Sequence, residues 1–138
     1  MRGYRIGILL CALSTIAACG DPTAPGKPDG TWVLSTVNEQ PLPQPISFVG
    51  VDYKILAIVD TLFLTPDGQM HESGLGYTWS SLNPNILVSL ADTGSWSTNG
   101  DSVNIVGSNG GVDIYTLRGN RLVRERSPYI RKVYRRAG

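Results

Sequence analysis

Histidine occurs once in this chain, at His71, and cysteine twice, at Cys11 and Cys19. A lone histidine with no second ligand clustered at metal spacing offers no zinc or iron set, and no nucleophile-base pair forms around it. In His71-Glu72-Ser73 the first two side chains of a strand point to opposite faces, so the tripeptide is not a triad by proximity. Charge is sparse, with 12 Lys and Arg against 11 Asp and Glu in 138 residues, which gives no basic signature for nucleic acid. No stretch carries a helical apolar stripe. The glycine runs Gly74-Leu75-Gly76 and Gly107-Ser108-Asn109-Gly110-Gly111 lack the strand-to-helix context of a phosphate loop. With no reactive constellation in view, the expectation is a protein that is not an enzyme and carries no cofactor and no metal.

What is present begins at the N-terminus. Arg2 and Arg5 precede an uncharged stretch, Ile6 to Ala18, whose 13 residues fall short of the roughly 20 needed to span a bilayer but suit a signal-peptide core. It ends in Ile16-Ala17-Ala18-Cys19, which resembles the lipobox of bacterial lipoproteins. The resemblance implies cleavage after Ala18 and diacylglycerol, with palmitate-type chains, on Cys19. An ordinary secretory signal or a buried N-terminal helix is the rival reading. Lipidation would consume the Cys19 thiol and remove Cys11, so no disulfide is expected within one mature chain. Residues 1-18 are then signal and 19-29 a lipidated tether, rich in Pro and Gly and without large apolar side chains. Residues 30-138 form one domain, lipid-anchored in the cell envelope, with a lean to the outer membrane.

From Gly30 the chain reads as β throughout: short runs of Val, Ile, Leu, Thr, Tyr and Trp separated by turn signals. Expected strands cover Thr31 to Val37, Ile46 to Val49, Lys54 to Leu64, Gln69 to Trp79, Ile86 to Ser97, Ser102 to Val106, Val112 to Leu117, Arg121 to Glu125 and Tyr129 to Arg135. Pro41, Pro43 and Pro45 predict an extended, unladdered connection. Thr65-Pro66-Asp67-Gly68, Asn99-Gly100-Asp101, Asn109-Gly110 and Gly119-Asn120 are hairpin turns. Eight or nine strands joined to their sequence neighbours predict an all-β antiparallel meander closed as a barrel, with a two-sheet sandwich as the alternative.

Gly30-Thr31-Trp32, then Val37-Asn38-Glu39-Gln40-Pro41-Leu42-Pro43, is similar to the opening of bacterial lipocalin-like domains, which usually place Gly where Glu39 stands. Gly94-Ser95-Trp96, Asn99-Gly100-Asp101 and the span from Tyr129 to Arg136 match their later half. The resemblance implies that Trp32 packs across a closed barrel end beneath an arginine of the last strand, Arg131 or Arg135. It also implies an interior that takes a small hydrophobic ligand, with Trp32, Tyr77, Trp79 and Trp96 as lining candidates. By burial alone the tryptophans read as core.

Charge is uneven. Arg118 to Gly138 holds eight basic residues and one acid, while Gly20 to Leu117 holds two lysines and ten acids. Alternation in Arg121-Leu122-Val123-Arg124-Glu125-Arg126 predicts solvent-facing arginines. Arg131, Lys132, Arg135 and Arg136 are candidates for a basic surface facing anionic head groups. Asp60, Asp67, Glu72, Asp92, Asp101 and Asp113 read as turn or strand-end residues. Partners are thus membrane lipid through acylated Cys19 and a small hydrophobic ligand, or else an envelope protein bound by a packed barrel, and not nucleic acid.

Overall fold

The computed structural model describes residues 26-49, 53-82, 84-126 and 130-138. The segment expected as a signal sequence, Cys19, most of the expected tether and Tyr129 lie outside these described residues. Ten strands follow in order: β1 Gly30–Val37, β2 Gln40–Pro41, β3 Gln44–Val49, β4 Tyr53–Leu64, β5 Gln69–Ser80, β6 Pro84–Asn99, β7 Ser102–Gly107, β8 Val112–Arg118, β9 Arg121–Arg126 and β10 Ile130–Arg136. Every pairing is antiparallel. From β4 to β10 each strand pairs with the next, and β1 pairs with both β10 and β4. That double pairing closes an eight-stranded, lipocalin-like meander barrel and decides against the sandwich, which would leave β1 on one sheet only.

The turns behave as their residues demand. Gly68, Gly100, Gly110 and Gly119 all take positive φ. The proline-rich segment departs from expectation, because Pro41 pairs with Thr36 in β2 and Pro45 with Leu56 in β3. Both strands are edges of the sheet, where a missing N–H leaves no ladder bond broken.

Gly30 and Gly94 open the two Gly-x-Trp phrases for different reasons. Gly30 has φ +127°, and a Cβ there would meet Arg136 Nη1 at 2.8 Å; at Gly94 a Cβ would fall 1.9 Å from the Val106 carbonyl oxygen. The tryptophans that follow both serve the closed end of the barrel. Trp32 is fully buried and its Nε1–H donates to the Pro28 carbonyl at 2.7 Å, while Trp96 Nε1–H donates to the Thr65 carbonyl at 2.9 Å. The arginine over Trp32 is Arg136, with its guanidinium carbon 4.3 Å from the ring centroid, and not Arg131 or Arg135. Arg136 is the residue in register with Trp32, so its side chain shares the inward face, whereas Arg135 alternates outward. Its guanidinium also donates to the carbonyls of Asp29 and Lys27, which pins the segment before β1 across the barrel floor.

Above this floor the core is formed by Leu34, Leu62, Leu64, Met70, Val103, Ile105, Tyr115, Leu117, Leu122 and Tyr134. Each fully buried aliphatic contributes about 1.5–3 kcal/mol. The wall is uneven in height. β7 to β10 have six or seven residues each, while β5 has 12 and β6 has 16. Only Gly94 to Asn99 of β6 pair with β7, so Pro84 to Thr93 have β5 as their one neighbour and rise roughly 30 Å along the open side. β3, β4, β5 and β6 thus form a sheet that projects beyond the barrel mouth.

Candidate functional site

The interior divides where apolar side chains give way to charged ones. Strand alternation explains how they arrive there: Asp60 shares its face with Leu62 and Leu64, Glu72 with Met70, Arg124 with Leu122, and Lys132 with Tyr134. Four different strands therefore each turn one ionisable residue toward the barrel axis, above the core.

At the base lies Asp60, fully buried. Tyr134 donates its hydroxyl to Asp60 Oδ2 at 2.6 Å, and Lys132 Nζ stands 3.9 Å from the same oxygen. Asp60 Oδ1 has no hydrogen-bond donor among the described residues. A buried acceptor without a donor is costly, and the neighbouring Glu72 carboxyl supplies one when protonated. Burial, together with the charge of Asp60 beside it, pushes Glu72 up to about 7, with Lys132 acting in the opposite direction. Glu72 thus keeps its proton up to near neutrality beside the buried Asp60 carboxyl. Burial also raises the phenols of Tyr134 and Tyr115, which meet edge to face at 5.9 Å and stay neutral.

Above the pair opens a cavity of about 320 Å³, lined by Leu62, Met70, Ile105 and Tyr115 below and by Glu72, Asp92, Asp113, Arg124 and Lys132 with the Gly107–Gly111 turn above. Asp92 sits at the rim, held below the usual carboxylate range by the Ser108 hydroxyl and by backbone donors of Thr93 and Ser108. One side of the mouth is a seam. β8 and β9 pair only through Thr116 to Arg118 and Arg121 to Val123, and beyond these residues the strands separate. The Arg124–Asp113 ion pair bridges the split, and a second hollow of about 170 Å³ adjoins it between Val112, Ile114 and Glu125.

The residues expected from sequence are distributed differently. Trp32 and Trp96 belong to the closed end. Tyr77 and Trp79 have odd positions on β5 and point outward, Trp79 being 41% exposed. None of the four lines the cavity. Lys132 is buried against Asp60 and Arg136 lies on Trp32, which leaves Arg131 and Arg135 as the outward members of the expected basic surface, Arg131 being paired with Glu39 and Glu125. Arg124, expected in solvent, faces inward because it alternates with Val123 and Glu125. His71 stands on the outer wall beside Phe63, their ring centroids 6.5 Å apart. Among the described residues no group of three or more His, Cys, Asp or Glu side chains is placed to hold a metal ion.

Asp60, Glu72, Asp92, Asp113 and Arg124 are the site residues that sequence reasoning passed over. Their parity with the core leucines was the available signal. No protein family, curated protein or solved structure matches the chain when sequence and fold are compared.

Proposed function

We propose that this protein is a lipid-anchored envelope lipoprotein whose barrel binds a small polar molecule bearing a positive group. The observation that carries the reading is the cavity of about 320 Å³, at the small end of ligand sites, with charged side chains converging above an apolar base. Among the described residues three carboxylates (Glu72, Asp92 and Asp113) line it with two cations, Arg124 and Lys132, and a fourth, Asp60, lies buried beside Lys132. Each cation already faces a carboxylate. The unmatched acidity lies at Glu72 and Asp92, and an ammonium or amidinium group placed between them would meet it. An alkyl chain would instead bury ionised groups without partners, a penalty that an apolar contact does not offset. The open interior favours this carrier role over a packed interaction module, and the absence of a catalytic constellation in the sequence keeps the reading non-enzymatic.

Calorimetry on the purified full chain tests the proposal with a panel of small amines, amino acids, sugars and fatty acids. An amine-bearing compound is expected to bind, with affinity falling about tenfold or more in Glu72→Gln and Asp92→Asn. Binding confined to fatty acids, or binding unaffected by both substitutions, would overturn it. For the anchor, metabolic labelling with palmitate is expected to vanish in Cys19→Ser, and label that persists would refute the lipobox.

A further inference from the structure

The projecting sheet has an outer face as unusual as its inner one. On β4, β5 and β6, between Lys54 and Thr93, the register turns Asp60, Glu72 and Asp92 inward, and the outward positions carry no Asp or Glu at all. Besides uncharged polar residues such as Thr61, Ser73 and Ser89, what faces out is apolar: Phe48 of β3 with Val59, Phe63, Leu75, Trp79 and Leu87 are between 39% and 65% exposed. Large apolar side chains exposed together on one wall of a small domain mark a site of contact. At its upper margin the Lys54 ammonium lies 5.0 Å from the Trp79 ring centroid and 5.9 Å from that of Phe48. An indole and a snorkelling lysine at the border of an apolar patch are the side chains that favour the level of lipid head groups.

We propose that this face lies on the surface of a lipid bilayer, so that the barrel rests on its side with its mouth held close to the membrane. The inference builds on the lipoprotein reading, which supplies the bilayer. The seven residue-to-residue steps from Cys19 to Gly26 reach at most about 25 Å, and the chain enters the barrel at Gly30, in register with Leu64 and one residue from Phe63 at the foot of the apolar face. An anchor at Cys19 therefore keeps this wall within reach of lipid. The face is free of carboxylates and its one lysine suits phosphate groups, whereas the outer positions of β9 and β10 alternate Arg121, Glu125, Arg131 and Arg135 with the buried Val123 and Val133. The two walls thus differ in charge, the one bearing exposed apolar side chains and a single lysine and the other bearing ionic residues of both signs. Strands of six or seven residues in β7 to β10 are shorter than the 9–11 that cross a bilayer, which makes this surface contact and not insertion.

The test uses the full chain reconstituted in vesicles of phosphatidylcholine and phosphatidylglycerol, with and without bromine on the acyl chains. Trp32 and Trp96 are tied into the closed end, so quenching by bromine reports Trp79. The expected result is quenching in the wild type, its loss in Trp79→Phe, and a drop of about twofold or more in Leu75→Ser/Leu87→Ser, although the protein still sediments with vesicles. Sedimentation without quenching would overturn the inference while leaving the anchor intact. So would quenching that survives Trp79→Phe, or cross-linking of two copies through the open edge of β6 in place of lipid contact. Palmitate labelling reports the anchor separately: should the chain prove unlabelled, quenching on added vesicles still supports the docking face, and its absence rejects it.

Discussion

At the closed end of the barrel one cation, Arg136, lies flat on a buried tryptophan and donates to backbone carbonyls, whereas at the open end two cations, Arg124 and Lys132, reach inward to carboxylates. Both arrangements follow from the same alternation of side chains along β9 and β10. They differ in what the charge neutralises. A guanidinium on an aromatic face beneath carbonyls satisfies its own surroundings and seals them. A guanidinium or ammonium opposite a carboxylate, with further carboxylates nearby, leaves acceptors over. The closed end is therefore where the fold is held, and the open end is where acceptors are left over at a cost in stability.

The division is tested most severely at Trp32. Trp32→Ala removes a fully buried indole, its hydrogen bond to Pro28 and the Arg136 stack, and is expected to destabilise the domain by about 3–5 kcal/mol. Asp92→Asn at the rim is expected to cost within about 0.5 kcal/mol. Equal losses in urea denaturation would erase the distinction between the ends.

Next in size is the buried ion pair. Lys132→Met leaves Asp60 facing Glu72 without a cation, and about 3 kcal/mol of stability should be lost. The double variant Asp60→Asn/Lys132→Met removes both charges and should recover most of that loss. Additive losses in the double-mutant cycle would show that the two side chains act independently.

How far this contrast was legible in the sequence depends on the element. The turns were plain, because Asn-Gly and Pro-Asp-Gly fix local φ whatever surrounds them. The strands of the meander fell within one to two residues of expectation. Closure as a barrel was expected from strands joined to their sequence neighbours, and the pairing of β1 with both β10 and β4 bears it out and removes the sandwich. The ionisable site was harder. Asp60 lies four residues before the end of β4, in the phase of Leu62 and Leu64, but the bulge between Ala57 and Val59 breaks that phase further along the strand. The bulge in β1 between Leu34 and Thr36 likewise separates the parity of Trp32 from that of Val37, so counting from the first strand does not give the inward face of the last. Tyr77 and Trp79 misled because aromatics usually pack inward in small β domains, and here they lie on an extension with no opposing wall.

A smaller effect sharpens the open end. Glu72 holds its proton up to about pH 7 in the folded barrel, against an ordinary value of 4.5. The folded state therefore binds more protons between these values, and stability falls as pH rises from 4.5 to 7, then levels off. Glu72→Gln should flatten that slope and raise stability at pH 8 by on the order of 2 kcal/mol, once screening at the cavity mouth is allowed for. Denaturation midpoints measured from pH 4.5 to 8 check the sign; a wild-type midpoint that climbs across this range would rule out the carboxyl pair.

The smallest effect separates backbone strain from charge at the turn between β1 and β2. Asn38 and Glu39 both adopt positive φ, 50° and 66°. Asn38 is suited to it, and its Oδ1 also accepts from the Arg131 amide at 2.7 Å. Glu39 is not suited, and its exposed carboxylate, 3.7 Å from Arg131, returns little for the strain. Glycine removes the Cβ clash of the left-handed conformation at a smaller entropic cost, so Glu39→Gly should stabilise the barrel by up to about 1 kcal/mol. Glu39→Gln, which keeps the strain and discards the charge, should be nearly neutral. If both variants lose stability equally, the ion pair with Arg131 and not the backbone governs this corner, and the open end would owe more of its order to charge than the closed end does.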